Sequence, residues 1–439
     1  MIGLFRDNSI LKYCFHFVVA ICLYVVLYLI ISFLEINWTL PNNDNLLQWD
    51  SWWYKSIVDE GYIFSKGIQC NSGFAPLFPY TWRLFQLSNA GISIFNLLVF
   101  GVTFVFLSNC LKLELKKFYL FLSFPSALFF YVPYTESLFF LFVSIAIIGQ
   151  LKKNQILIVI GLFLTSMVRT SAIFSIPAII VVGIFSFLET RDVIKSFKFI
   201  LPGAIASLLG ILCVALIQYQ ETGVWFAFAK AQMDGWKHHF QLPGFPLTTW
   251  DNARVLWLDG LAFLLGMFSL VGLLGLFIKN IKHKLSIDAS LIYSLSFLTL
   301  TLIYGIFFQA KDEATGQTGI ISLNRYMFAC PFFIVVISKM PDYFSFTGTK
   351  NKLIIGAIII GTWMLLGFGS ISLTWLERFN MPHMKTVMYF LILTLYVISL
   401  LYIVFSRRDK VQLILLIIPI NMILQLHCFH YFLNSIWVG

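Results

Sequence analysis

Residues 154–188 read NQILIVIGLFLTSMVRTSAIFSIPAIIVVGIFSFL, two apolar runs on either side of a single charged side chain, Arg169. Each run approaches the length at which a helix crosses about 30 Å of hydrocarbon. Helices suit that setting because they satisfy their own backbone donors and acceptors where no water can. The pattern recurs along all 439 residues, of which 59% are hydrophobic, 18% aromatic and 11% charged. An ordinary soluble domain is roughly a quarter charged, so a soluble globular protein is excluded, as are disorder, collagen and a porin-type barrel. A hydropathy window predicts spans near 12–34, 91–110, 117–132, 135–150, 154–170, 172–188, 199–219, 257–278, 287–308, 325–338, 353–375, 384–405 and 411–432. The fold expected is an all-α polytopic integral membrane protein of about thirteen transmembrane helices. The first run lacks a small-residue cleavage site and is expected to be retained as a span. Residues 1–220 form an N-terminal transmembrane module and 221–439 a loop with the C-terminal helices, all one membrane domain.

The formal net charge is +10, yet the basic residues are scattered in short loops rather than gathered on one polar face. Nucleic acid is therefore not an expected partner, and the charges read as topology signals. With the N-terminus cytoplasmic, Lys112, Lys116, Lys117, Lys152, Lys153, Lys279, Lys282 and Lys284 fall inside. Asp50, Asp59, Glu60, Glu136, Glu221, Asp234, Asp259 and Asp312 then lie outside or at outer span ends. Six of the seven cysteines lie in or beside apolar runs and only Cys70 is in a long polar loop, so neither a disulfide framework nor a zinc site is suggested.

Two outer loops are long, 35–90 and 220–256, and long loops held between packed spans commonly carry function. The first contains Gln48-Trp49-Asp50-Ser51-Trp52-Trp53-Tyr54-Lys55-Ser56-Ile57. Asp50 and Ser51 suit a helix N-cap, and Trp49, Trp53 and Ile57 recur every fourth residue, as in an amphipathic helix lying at the membrane interface. Two roles for Asp50 are compatible with this spacing: a helix cap, or a carboxylate acting on a substrate whose lipid tail lies in the bilayer. The tryptophans suit an aromatic belt better than a sugar-stacking platform. Glu136, in Tyr134-Thr135-Glu136-Ser137, stands at a helix start, where the dipole favours a carboxylate. Arg169 and Arg325, each at the outer end of an apolar run, either snorkel or serve a site. The second loop carries Lys230-Ala231-Gln232 and Asp234-Gly235-Trp236-Lys237-His238-His239, a set suited to a phosphate or sugar hydroxyls, or simply a solvated charged loop. No ligand partner stands at metal-binding spacing from the histidine pair, so no metal is expected. Asp-x-Asp, P-loop, Gly-x-Ser-x-Gly and His-Glu-x-x-His motifs are absent, leaving nucleotide-sugar transferases, ATPases, serine hydrolases and zinc proteases unsupported.

Trp49-Asp50 with Gly61-Tyr62 and Phe74-Ala75-Pro76-Leu77-Phe78-Pro79 is followed by Phe124-Pro125-Ser126-Ala127-Leu128-Phe129-Phe130, Tyr134-Thr135-Glu136-Ser137 and Arg169. Phe226-Ala227-Phe228-Ala229-Lys230-Ala231-Gln232 with Trp236, and Asn324-Arg325-Tyr326, come next in order. Over about residues 48–330 this series resembles the GPI mannosyltransferase II family and its bacterial relatives. It departs at Gln48, usually basic in the family, at Val224-Trp225 in place of Asp-Pro, and at Thr170-Ser171 in place of Asn-Gly. The resemblance implies a GT-C glycosyltransferase. It would transfer a hexose, mannose in the family, from a polyprenyl-phosphate donor to a glycan or glycolipid acceptor on the extracytoplasmic face. No cofactor is implied, since Arg and Lys neutralise a monophosphate leaving group without a divalent metal. On this reading Asp50 is the general base and Glu136 orients the acceptor or an arginine. Arg169, Lys230 and Arg325 hold the phosphate, while Trp49, Trp53, Gln232, Trp236, Lys237 and His238 contact substrate. The competing class is a transporter or a flippase for lipid-linked saccharides; such proteins commonly carry internal repeats, and none is visible between the halves. An O-acyltransferase would need a buried histidine such as His427 or His430. The short loops lean towards a bacterial plasma membrane, with the endoplasmic reticulum the eukaryotic counterpart. An accessory subunit is left open.

Overall fold

In a computed structural model the described residues form helices joined by loops. The structure describes residues 8–34, 38–249, 254–309, 311–312, 315–345, 348–367, 382–406 and 411–439. The α-helices run in order α1 (Asn8–Leu34), α2 (Asp50–Glu60), α3 (Leu77–Phe85), α4 (Asn89–Leu111), α5 (Leu115–Ser123) and α6 (Glu136–Leu151). Next come α7 (Gln155–Val168), α8 (Ser175–Thr190), α9 (Val193–Thr222), α10 (Ala227–Lys230), α11 (Leu256–His283) and α12 (Ala289–Phe307). The last are α13 (Leu323–Phe328), α14 (Pro331–Tyr343), α15 (Thr349–Leu365), α16 (Pro382–Phe405) and α17 (Val411–Leu433). Among the described residues eight helices are long and apolar enough to cross a membrane, and α6 and α7 are shorter apolar helices. The chain is thus an all-helical polytopic membrane protein.

Two of the expected spans are interrupted, both at proline. The run 117–132 is a short helix, α5, followed by a 3₁₀ turn over Pro125–Phe130, with Phe124 extended between them. The run 325–338 divides at Cys330, also extended, into α13 and α14. A residue preceding proline is sterically disfavoured in the helical region, which accounts for both breaks. They also shape the site, because the first break leads to Glu136 and the second follows Arg325. Residues 368–375 of the expected span 353–375 lie outside the described residues.

Beneath the 3₁₀ turn is an aromatic core. Phe100 stacks on Phe130 with centroids 4.0 Å apart, and Phe140 meets Phe100 edge-on at 5.2 Å. Lipid tails are as apolar as these rings, so close contact rather than escape from water holds them together. Asn96 of α4 adds direction: its amide donates to the carbonyls of Val132 at 2.7 Å and Tyr134 at 3.0 Å, tying the turn before α6 to α4. Helices α6 and α7 touch backbone to backbone. A Cβ built at Gly161 would lie 2.6 Å from the Ala146 nitrogen and 2.8 Å from the Phe142 carbonyl.

This packing brings the start of α6, the end of α7, the start of α11 and α13 to one end of the bundle, where the contacts described below join them. Lys112 after α4, Lys152 and Lys153 between α6 and α7, and Lys282 and Lys284 at the end of α11 occupy the opposite helix ends.

Candidate functional site

The site is assembled at the first of these ends. Asp50 is the first residue of α2, but it does not cap that helix: Trp49 occupies the N-cap position with a φ of 53°, and no side chain makes a cap hydrogen bond there. This corrects the expectation that Asp50 and Ser51 form the cap. Ser51 is instead buried, its hydroxyl donating to the Gln48 carbonyl at 2.6 Å. The buried residues of α2 are Ser51, Tyr54 and Ile57, while Trp49 and Trp53 are half-buried. Arg83 of α3 donates to the carbonyls of Ile57 and Val58 at the other end of α2. Glu221, at the end of α9, accepts from the Tyr62 backbone at 2.6 Å and from the Tyr80 hydroxyl, fastening the first loop to a long helix. Burial, together with that contact to Glu221, raises the Tyr80 hydroxyl above its ordinary range.

Freed from capping, the Asp50 carboxylate meets Arg325, whose Nη1 lies 2.5 Å from Oδ2. The Nε of Arg325 donates to Oε1 of Glu136, and that same oxygen accepts from Arg169 Nη1 at 2.7 Å. Glu136 is fully buried, and its second oxygen finds no hydrogen-bond partner among the described residues. The result is an alternating chain, Asp50–Arg325–Glu136–Arg169, in which two carboxylates balance two guanidiniums. Aromatic faces enclose it: Arg325 stands over Tyr134 at 4.3 Å and Arg169 over Tyr326 at 4.5 Å. Removing such charges from solvent is costly, and well-packed apolar residues often stabilise as much or more, so the cluster is better explained by use than by stability.

Asp50, Arg169 and Arg325 open onto a cavity of about 270 Å³, also lined by Tyr54, Phe74, Tyr304, Tyr326, Gln232 and His238. The last two belong to the second loop. Gln232 donates to the Gly73 carbonyl at 3.0 Å, its amide oxygen lies 2.8 Å from His238 Nδ1, and the Tyr304 hydroxyl lies 3.1 Å from that nitrogen. Burial, and secondarily the neighbouring His239, pushes His238 down to about 4. Its imidazole is therefore neutral at pH 7 and offers hydrogen bonds, not charge.

Not every expected residue reaches this cavity. Lys230 and Lys237 are exposed and absent from its lining, so the two arginines supply its cationic wall. Trp53 and Trp236 pack on each other at 5.8 Å and both against Phe74, while Trp49 meets Trp437 at 5.0 Å. These tryptophans brace the loops around the cavity rather than line it. Tyr304 was not singled out from sequence, and Tyr54, Tyr134 and Tyr326 entered only as members of quoted stretches, because tyrosines among so many aromatics carry no separate signal. Compared with family models, with curated proteins and with solved structures, the chain matches none.

Proposed function

We propose that this protein is a GT-C type glycosyltransferase. It moves a hexose, mannose by the resemblance, from a polyprenyl-phosphate donor to a glycan or glycolipid acceptor at the extracytoplasmic surface, with inversion. The observation that carries the reading is the buried Asp50–Arg325–Glu136–Arg169 chain opening onto a cavity at one end of a bundle of membrane-length helices. A carboxylate and two guanidiniums in one wall are what a single displacement on a lipid-linked phosphosugar requires.

In that displacement the acceptor hydroxyl oxygen attacks the anomeric carbon as its proton passes to Asp50. The bond from that carbon to the phosphate oxygen breaks, and its electron pair leaves with the lipid phosphate, whose charge Arg169 and Arg325 neutralise. Arg325 holds an oxygen of the Asp50 carboxylate. Here the grip and the phosphate site share one residue. When a phosphate draws Arg325, that carboxylate is freed to meet the acceptor hydroxyl.

The test is incubation of the purified protein with a panel of polyprenyl-phosphate sugars, reading binding, hydrolysis and transfer to added acceptors. Saturable use of one donor is expected. Saturable binding of a soluble solute, with no response to any lipid-linked sugar, would favour a transporter instead.

A further inference from the structure

Arg325 can bridge two carboxylates only if its backbone is held in place, and α13, which carries it, is six residues long. A helix that short does not hold itself, because nucleation is costly and too few bonds repay it. The residue before it, Ser322, also has a left-handed φ of 63°. Something outside α13 must fix it. That contact comes from Asp259 in the first turn of α11, which is completely buried and has no salt-bridge partner among the described residues. Its Oδ1 accepts from the Asn324 backbone nitrogen at 2.9 Å and from Asn324 Nδ2 at 2.8 Å, and its Oδ2 accepts from the Thr249 hydroxyl. Asn324 is further held by the Ser126 hydroxyl, which donates to its Oδ1 at 3.0 Å.

We propose that Asp259 is a positioning residue: by accepting from the backbone and side-chain nitrogens of Asn324 it fixes the backbone of α13 and thereby sets Arg325 between Glu136 and Asp50. Its part is that of an acceptor, since each of these partners donates to it and no cation among the described residues answers its charge. The consequence for sugar transfer rests on the function proposed above, but the placement of Arg325 does not.

The test therefore reads Arg325 directly, without substrate. Detergent-purified protein is treated with phenylglyoxal, which modifies accessible guanidiniums, and the sites are mapped by peptide mass spectrometry. In the parent, Arg325 and Arg169 are both protected, being 1% and 8% exposed. In Asp259→Ala, Arg325 is expected to react about tenfold faster, the scale of a lost charge-assisted hydrogen bond, while Arg169 stays protected. Asp259→Asn, which keeps an acceptor facing Asn324, should restore the protection, and Asn324→Ala, which keeps the backbone bond, should raise reactivity less than Asp259→Ala. Unchanged Arg325 protection in both Ala variants would overturn the proposal. So would Arg169 and Arg325 rising together, which marks general loosening, or an Asn variant as reactive as the Ala variant. A parent that transfers no sugar would refute the enzyme reading and leave this labelling result standing.

Discussion

Glu136 is shared by both arginines, yet the two arginines are not equivalent. Among the described residues Glu136 is the only carboxylate that Arg169 meets, whereas Arg325 also holds Asp50. Arg169→Ala leaves Glu136 paired, so its loss should fall on donor binding, by about 1.5–3 kcal/mol for one charge-assisted contact. Arg325→Ala strands Asp50 and leaves Glu136 with Arg169 alone, and breaking a buried pair costs about 3–5 kcal/mol of stability as well. Thermal unfolding in detergent beside polyprenyl-phosphate binding checks the order; equal stability and unchanged donor binding in both variants would reduce them to snorkelling residues. His238 gives a pH signature. Its value in the fold, about 4, lies below its ordinary 6.5, so the unfolded chain takes up the proton first and stability is lost as pH falls from 6.5 towards 4. The unfolding midpoint should drop more steeply over that window in the parent than in His238→Gln, and identical slopes would show that His238 is not responsible.

At the level of helices, the contact of α6 with α7 holds the segments that present Glu136 and Arg169. Gly161→Ala places a methyl against backbone atoms of α6 that cannot swing aside. The expected loss is about 1–3 kcal/mol of stability, seen by thermal unfolding, with Gly356→Ala in open surroundings on α15 as the neutral comparison. Wild-type stability for Gly161→Ala would mean that the helices do not meet as described. The helices themselves were legible because an apolar run long enough to span a membrane leaves few alternatives. The breaks at Pro125 and Pro331 were legible in principle, since proline restricts its predecessor, but a hydropathy window averages over single residues. Glu136, Arg169 and Arg325 were flagged by charge at the ends of apolar runs, and Asp50 by its place in the tryptophan-rich stretch of the first long loop. What polarity could not show was their pairing, because Asp50 and Arg325 stand 275 positions apart. Asp259 read as one more acid at a span end for the same reason: its partner Asn324 is 65 positions away.

For the molecule as a whole, the arrangement demands that the two long loops share one side of the membrane and the lysine-rich ends the other. In a cysteine-free background, single cysteines at the exposed positions Gln69 and Leu242 should react with an impermeant reagent added outside, and those at Lys153 and Lys282 should not. The reverse pattern would invert the topology and remove the extracytoplasmic site. Both halves of the chain meet at Asp50, which is carried by the first loop and gripped by an arginine from the C-terminal half. The decisive measurement is hexose transfer from a polyprenyl-phosphate donor by Asp50→Asn beside the parent, with donor binding measured on the same preparations. Asn keeps the size of the side chain and removes its basicity, and no cap is at stake. Turnover should fall by a factor of about 10² to 10⁴ while the lipid-linked donor still binds, whereas near-normal turnover in folded, donor-binding protein would contradict Asp50 as the base.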